Sequence, residues 1–469
     1  MKKFAAVLMV VAFLTICGEG SRAQADDKTP DSVCITAYSS GQALITEVRS
    51  MELPASGEVA FPGAPDTLDL TSVALEPLDQ PEKVAVGSLR LLPSASNPSA
   101  VLSNFIGREV KVVLPDPSDA RGRVTRRATL LSAGSQAVLD LGEAIYVGPL
   151  EAVLLPSGED KPRAEAALFF NVRNQGRASQ RMELSYLAGG LQWSGDCALT
   201  LDEAGEQGAL SCWATLRNDT GRSFAGAQLR LVAGEVNRVA RPAMARFKGA
   251  GVLMEESMDM VATEQSVGEY HLFTVPFPAT LMAGQVTRLS LAQADNVRVG
   301  RELLVRGHAF QGTGGAEPER RPVEIVLVLE NTQEQGLGRP LPASRVRVYR
   351  DVAGGGKILE GEASLGNLAA GETARLGLGT SFDVTARRTM LSYEKLGKNR
   401  SRVNWAVELR NAGKKAQSVM VLETMQGDWK ITESSFEYAK VSADTARWVV
   451  QVPAGGKPVT LRYEAETAW

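Results

Sequence analysis

The side chains that most often perform catalysis are scarce in this sequence. Its 469 residues include two histidines, His271 and His308, and both lie in short runs that alternate like β-strands. Serine and cysteine hydrolases usually take their general base from histidine, and a zinc site needs several histidine or cysteine ligands at short spacing. The sequence contains neither arrangement. We therefore predict a protein that is not an enzyme and that has no cofactor and no metal site.

Acidic side chains leave one catalytic alternative open. With 54 Asp and Glu residues, a pair of carboxylates could cleave a glycosidic bond, although the sequence singles out no pair. The alternative function is therefore a carbohydrate-active or peptidase-like enzyme that uses carboxylates alone. Such an enzyme would have a concave pocket lined by two or three acids, with an exposed tryptophan beside it.

The first 25 residues have the pattern of a secretory signal peptide. A basic start precedes the run Phe4–Ile16, which is apolar apart from Thr15, and Ala-Gln-Ala provides a cleavage site after Ala25. Cys17 follows Ile16 rather than a small residue, which argues against a lipoprotein. We predict an exported protein of the bacterial periplasm or cell surface.

The sequence after residue 25 has no pattern of a transmembrane segment and no long basic run that would attract nucleic acid. No later stretch is apolar over the length needed to span a membrane. Removing residues 1–25 changes the formal net charge from −3 to −5. A mildly acidic chain without a long basic run has little electrostatic attraction for phosphate backbones, so we predict that it does not bind nucleic acid.

The spacing of two cysteines predicts a disulfide. Cys197 and Cys212 lie in two alternating runs on either side of a turn-like segment that contains Gly205. If the runs form a hairpin centred there, the cysteines lie directly opposite each other, and an oxidising compartment favours their pairing. Cys34 would then remain unpaired, as a buried strand residue.

Two features could form an interaction surface. Residues 241–267 interrupt the alternation and contain Met254, Met258 and Met260. The segment could be a mobile loop, a short covering helix, a docking surface or, from its thioether spacing, a copper(I) site of a small-ligand or copper carrier. Trp429 follows Gly-Asp in a loop and is the tryptophan that we expect to be exposed, as a platform for sugars or peptides.

Short alternating runs separated by Gly, Pro, Asp and Ser predict an all-β fold with tandem β-sandwich units of immunoglobulin or fibronectin type. Two patterns recur in it. One is a strand that ends on asparagine before a turn, at Asn174, Asn218, Asn331 and Asn411, and the other is Ala-Gly before a new strand, at Gly284, Gly371 and Gly455. Their spacing predicts three related units, the first of which carries an insertion.

The predicted divisions are a signal peptide over 1–25, an N-terminal β domain over 26–160, a sandwich over 161–300 with the insertion 241–267, a sandwich over 301–385 and a C-terminal sandwich over 386–469.

Several segments in this order resemble the bacterial domain-of-unknown-function family numbered 4139. They are Gly189–Trp193, Leu231–Asn237, Tyr270–Pro276, Gly336–Pro342, Gly379–Val384 and Gly427–Trp429. The resemblance implies an exported, mostly β protein and brings no activity, cofactor or site residue with it.

Together these features predict a non-enzymatic β-sandwich protein of the bacterial cell envelope that acts by binding. The predicted partner is another envelope protein or an envelope polymer.

Overall fold

The computed structural model describes residues 29–95, 98–116, 119–133, 136–148, 151–156, 165–234, 262–267, 270–310 and 317–468. These residues form 32 β-strands, one short α-helix and three 3-10 helices (Leu70–Ser72, Pro81–Lys83 and Gln333–Gln335). The predicted all-β fold is confirmed. No helix among the described residues has the length and apolar character that crossing a membrane requires. The predicted cleavage site at Ala25 lies outside the described residues.

The N-terminal sandwich is built from two sheets whose inner faces share one apolar core. Sheet 1 has eight strands, in the order β16 (Thr263–Val267), β17 (Tyr270–Thr274), β15 (Phe224–Ala233), β1 (Ser32–Tyr38), β2 (Gln42–Glu52), β12 (Ser179–Gly189) and β4 (Ala74–Pro77), with β18 (Ala279–Leu281) paired to β15. Sheet 2 has three strands, in the order β3 (Ser56–Ala64), β11 (Ala166–Asn174) and β5 (Val84–Leu92).

A small separate sheet, sheet 3, is inserted between two strands of sheet 2. Sheet 3 has the order β10 (Ala152–Leu154), β6 (Glu109–Asp116), β7 (Asp119–Ala133), β8 (Ala137–Asp140) and β9 (Ile145–Gly148). With the helix α1 (Pro98–Ser103) it encloses its own apolar core, which includes Phe105 and Leu130. The chain enters this unit after β5 and leaves it before β11, and those two strands pair antiparallel.

Three further sheets follow along the chain. Sheet 4 has the order β19 (Val286–Arg298), β14 (Gln207–Asn218), β13 (Leu191–Leu201), β23 (Ser344–Asp351) and β24 (Lys357–Leu365). Sheet 5 has the order β25 (Thr373–Thr380), β22 (Glu324–Glu330), β20 (Gly300–His308), β28 (Gln417–Thr424), β31 (Thr445–Val452) and β30 (Tyr438–Ser442). Sheet 6 has the order β21 (Glu319–Arg321), β26 (Val384–Gly397), β27 (Arg400–Asn411), β32 (Val459–Ala468) and β29 (Asp428–Ser434).

The two recurring sequence patterns meet in space at what we term the Asn corners. At each corner the glycine turn donates a backbone N–H to the carbonyl of the asparagine, from Gly284 to Asn218 (2.7 Å), from Gly371 to Asn331 (2.7 Å) and from Gly456 to Asn411 (2.6 Å). Each asparagine side chain is buried. Its amide nitrogen donates hydrogen bonds to backbone carbonyls, and its amide oxygen accepts one from a backbone N–H. The side chain thus closes its own turn, as an Asx-turn does, and ties it to the next strand pair.

After each Asn corner the chain crosses back to the preceding sheet. The strand that follows pairs parallel to an earlier strand, so that β15 lies beside β1, β23 beside β13 and β28 beside β20. Each repeat therefore contributes strands to two sheets, and successive repeats are joined through a shared, continuous hydrogen-bonded sheet.

This interlocking corrects two of the predicted boundaries. Strands on both sides of residue 160 pair with each other in sheets 1 and 2, whereas residues 98–155 form the separate inserted unit. A boundary at 160/161 is therefore wrong. Of the predicted insertion 241–267, residues 263–267 form β16 and not a loop or helix. Met254, Met258 and Met260 lie outside the described residues.

Replacing Asn411 with alanine should destabilise the C-terminal sandwich by about 2 kcal/mol, because buried backbone groups would lose their partners. The Asn411 amide donates to the carbonyls of Lys415 (2.8 Å) and Val452 (3.2 Å) and accepts from the Gly413 N–H (3.0 Å). Urea unfolding followed by tryptophan fluorescence measures the change. Asn404→Ala, on the outer face of the same strand, serves as control, and equal midpoints for the two variants would contradict the structural role of the corner.

Candidate functional site: the outer face of sheet 4

Alternation along its central strands gives sheet 4 one buried and one accessible face. On β13 and β14 the residues at every second position are buried, among them Leu199, Cys212 and Leu216. The residues between them are half-buried or exposed and point to the other side, because successive side chains of a strand alternate. This accessible side is the outer face of sheet 4.

The predicted disulfide is confirmed and lies beneath this face. Cys197 and Cys212 are directly opposite each other in the antiparallel ladder of β13 and β14, and their Cα atoms are 4.1 Å apart. Both are at most 1% exposed. The covalent bond fixes the register of the two strands, and the register decides which side chains stand side by side on the outer face.

The outer face presents polar, charged and aromatic side chains in regular rows. Across β14, β13 and β23 the rows are Trp213-Asp196-Arg345, Ser211-Ala198-Arg347 and Ala209-Thr200-Tyr349. On β13 and β14 the second and third rows carry only small side chains, Ala198, Thr200, Ala209 and Ser211, and these leave a depression. The half-buried rings of Trp213 and Tyr349 are four residues apart along the strands and two strands apart, which corresponds to a separation of about 16 Å.

The depression continues into a shallow, open groove of about 500 Å³. Eleven residues line it, and apart from alanine and glycine all of them are polar or charged: Ala198, Thr200, Asp202, Gln207, Gly208, Ala209, Ser211, Asp295, Asn296, Asp351 and Lys357. Binding pockets for drug-sized molecules are mostly apolar and enclosed. This groove has neither property and is better suited to an extended polar ligand.

Two of the three carboxylates that line the groove have structural roles. Asp202 accepts backbone hydrogen bonds from Gly205 (2.6 Å) and Glu206 (3.1 Å), which closes the β13–β14 hairpin. Asp351 lies 3.9 Å from the ammonium group of Lys357. A general acid is usually kept protonated by an apolar, desolvated setting, and an open polar groove does not provide one.

The aromatic end of the face is held by ionic contacts. The guanidinium group of Arg288 lies 5.2 Å from the centre of the Trp213 ring, within the range of a cation–π contact. Asp196, beside it on β13, accepts a hydrogen bond from the Thr215 hydroxyl (3.1 Å) and lies 3.9 Å from Arg347. Because Arg288 is exposed, its donors remain available to a ligand.

The expected exposure of Trp429 is wrong. The residue is 7% exposed, its indole N–H donates to the carbonyl of Ala443 (2.7 Å), and the Lys440 ammonium group lies 4.5 Å from the ring centre. Gly427 has a positive φ of 64°, but Asp428 and Trp429 already belong to β29, and strand β30 and the turn after it cover the indole. Among the described tryptophans, Trp213 is the one that is not buried.

The other reactive side chains stand apart from one another. His271 Nδ1 lies 2.7 Å from the Glu264 carboxylate on the adjacent strand, and His308 is in β20. Cys34 is unpaired and half-buried, and its burial raises the pKa of the thiol. The described ranges contain no group of three or more His, Cys, Asp or Glu residues that could hold a metal ion.

Comparison with known proteins adds no relative. No protein-family model matches the chain, and a search of the curated proteins finds no match. The resemblance to the family numbered 4139 therefore stays a prediction from the sequence motifs.

Proposed function

We propose that the chain is an exported, non-enzymatic binding protein of the bacterial cell envelope, and that the outer face of sheet 4 holds an extended polar polymer. The observation that carries the proposal is the open groove lined only by small and polar side chains, with the rows of Trp213 and Tyr349 at its side. Export is supported by the leader pattern before Ala25 and by a buried intramolecular disulfide, which persists in oxidising compartments.

A polymer of neutral or amino sugars fits this groove best. A sugar ring has an apolar face of C–H groups, which stacks on an aromatic ring, and a rim of hydroxyls, which bonds to carboxylates, amides and hydroxyls. Three aspartates and one lysine line the groove, so its formal charge is negative. Acidic polymers are therefore disfavoured. Membership of the family numbered 4139 is part of the same proposal and supplies no ligand.

Binding of the purified mature chain to a panel of neutral, amino and acidic polysaccharides tests this proposal. Ala209 is exposed and lines the groove, so Ala209→Arg should fill the groove without disturbing the core. We expect at least a tenfold loss of affinity for a neutral or amino polysaccharide. Ala85→Arg, at an exposed position of β5, adds the same side chain elsewhere and should change nothing.

Two results would contradict the proposal. Equal binding by both arginine variants would exclude the groove as the site. A photo-crosslinker placed at position 209 that captures a protein in intact cells, with no polysaccharide binding by the purified chain, would replace the polymer by a protein partner.

A further inference from the structure

The most exposed large apolar residue of the described chain is Phe382, in the turn between β25 and β26. It is 95% exposed, whereas the next, Val147, is 61% exposed. Single exposed apolar side chains are common on folded proteins. A phenylalanine that is 95% exposed contributes almost nothing to folding, however, and its ring is available for contact with a partner.

Backbone hydrogen bonds hold this turn in place. The Ser381 N–H donates to the carbonyl of Val323 (2.7 Å), and the Ala412 N–H donates to the carbonyl of Asp383 (3.0 Å). The residues on both sides of Phe382 are thus fixed to neighbouring loops. Because the turn is already ordered, little further conformational entropy would be lost when the Phe382 ring inserts into a partner.

Two further loops meet the Phe382 turn at the same end of the C-terminal sandwich. The Gly455 N–H donates to the carbonyl of Gly413 (3.3 Å), which joins the loop 453–458 to the loop 412–416. Together with residues 381–383 these loops form what we term the Phe382 end.

The Phe382 end is positively charged, although the whole chain has a formal net charge of −3. Its basic residues are exposed, and they are Lys414, Lys415 and Lys457. Its only acidic residue is Asp383, so its formal charge is +2. In the described part of the chain, the lysines that form ion pairs are Lys357 and Lys430. The three lysines of the Phe382 end are therefore free to bind an external anion.

We propose that the Phe382 end docks on a membrane surface rich in anionic phospholipids. The ring inserts at the boundary between headgroups and acyl chains, and the three ammonium groups lie among the lipid phosphates. An exposed aromatic side chain with lysines on the adjoining loops suits such a surface, and each lysine near an anionic leaflet adds attraction. The interaction is reversible, since one ring and three lysines form a weak anchor. It is independent of the groove on sheet 4.

Co-sedimentation of the purified full chain with vesicles tests this inference. We expect binding to phosphatidylcholine vesicles that contain phosphatidylglycerol, little binding to phosphatidylcholine alone, and release by high salt. Replacing the three lysines with glutamine should lower the partition coefficient on the order of 100-fold. Phe382→Ser should lower it about tenfold, and Phe382→Trp should preserve it.

Matched control variants distinguish binding through the Phe382 end from nonspecific binding to vesicles. Val147→Ser removes another exposed apolar side chain, and replacing Lys111, Lys395 and Lys398 with glutamine removes the same charge elsewhere; neither should change the binding. Absence of binding to the anionic vesicles would overturn the inference. So would binding to dextran sulfate that matches vesicle binding and is unaffected by Phe382→Ser, because it would indicate a site for soluble polyanions.

Discussion

Replacing Glu423 with glutamine is expected to destabilise the C-terminal sandwich by about 3–5 kcal/mol, because it leaves the charge of Arg388 unpaired in the core. Arg388 on β26 donates two hydrogen bonds to the Glu423 carboxylate on β28, of 2.8 and 2.9 Å, across the space between sheets 6 and 5. The residues are 2% and 1% exposed. Burial raises the pKa of Glu423 above its usual range, against the opposing effect of Arg388.

The other partners of the arginine are uncharged. Its guanidinium group also donates to the carbonyl of His308 (3.0 Å) and to the hydroxyl of Tyr463 (3.5 Å), and it lies 3.2 Å from the centre of the Trp405 ring. Gly307 faces the carboxylate from the adjacent strand, where any Cβ atom would lie 2.4 Å from an oxygen of Glu423. Glutamine at position 423 would therefore leave the guanidinium charge without a counter-ion.

Chemical unfolding, followed by tryptophan fluorescence, measures the effect, because buried tryptophans such as Trp448 lie in the core of this sandwich. Glu143→Gln breaks an exposed pair with Arg126 and should change stability by no more than about 0.5 kcal/mol. The double variant Arg388→Met/Glu423→Leu should recover much of the lost stability, because an apolar pair can replace a buried ion pair. A single Glu423→Gln variant as stable as the parent chain would show that the pair does not hold the two sheets together.

The sequence predicts the local devices of this fold well. The turns at the strand-ending asparagines, the glycine turns and the Cys197–Cys212 disulfide each depend on a few neighbouring residues or one hairpin. An Asx-turn or a cross-strand cysteine pair is decided by short-range geometry. All three appear in the structure where the sequence places them.

The pairing of distant strands could not be predicted in the same way. Parallel pairs such as β13 with β23 join segments from different repeats, and nothing in either strand specifies the other. For the same reason the outer face of sheet 4, which combines Trp213 with Tyr349, has no signature in the sequence. The burial of Trp429 could not be predicted either, because the residues that cover it, such as Lys440, come from a later strand.

Removing the disulfide with Cys197→Ala and Cys212→Ala is expected to cost about 3 kcal/mol, because the bond closes a short loop in the unfolded chain. The two cysteines are separated by 15 residues in sequence. The midpoint of guanidinium unfolding measures the loss. Cys34→Ala removes the remaining, unpaired cysteine of the described chain and should change the midpoint little. An unchanged midpoint in the double variant would mean that the hairpin keeps its stability without the bond.

The same variant should also weaken ligand binding at the groove, although neither cysteine touches the groove. Cys212 lies between Ser211 and Trp213, and Cys197 lies between Asp196 and Ala198, so the bond locks these rows in register. A shift of one strand by one residue would turn its outer side chains inward. Alanine at both positions removes the covalent lock and leaves only packing and the ladder to oppose such a shift. Loss of polysaccharide affinity in the folded double variant, with affinity intact in Cys34→Ala, would therefore identify the disulfide as a positioning element for the face above it.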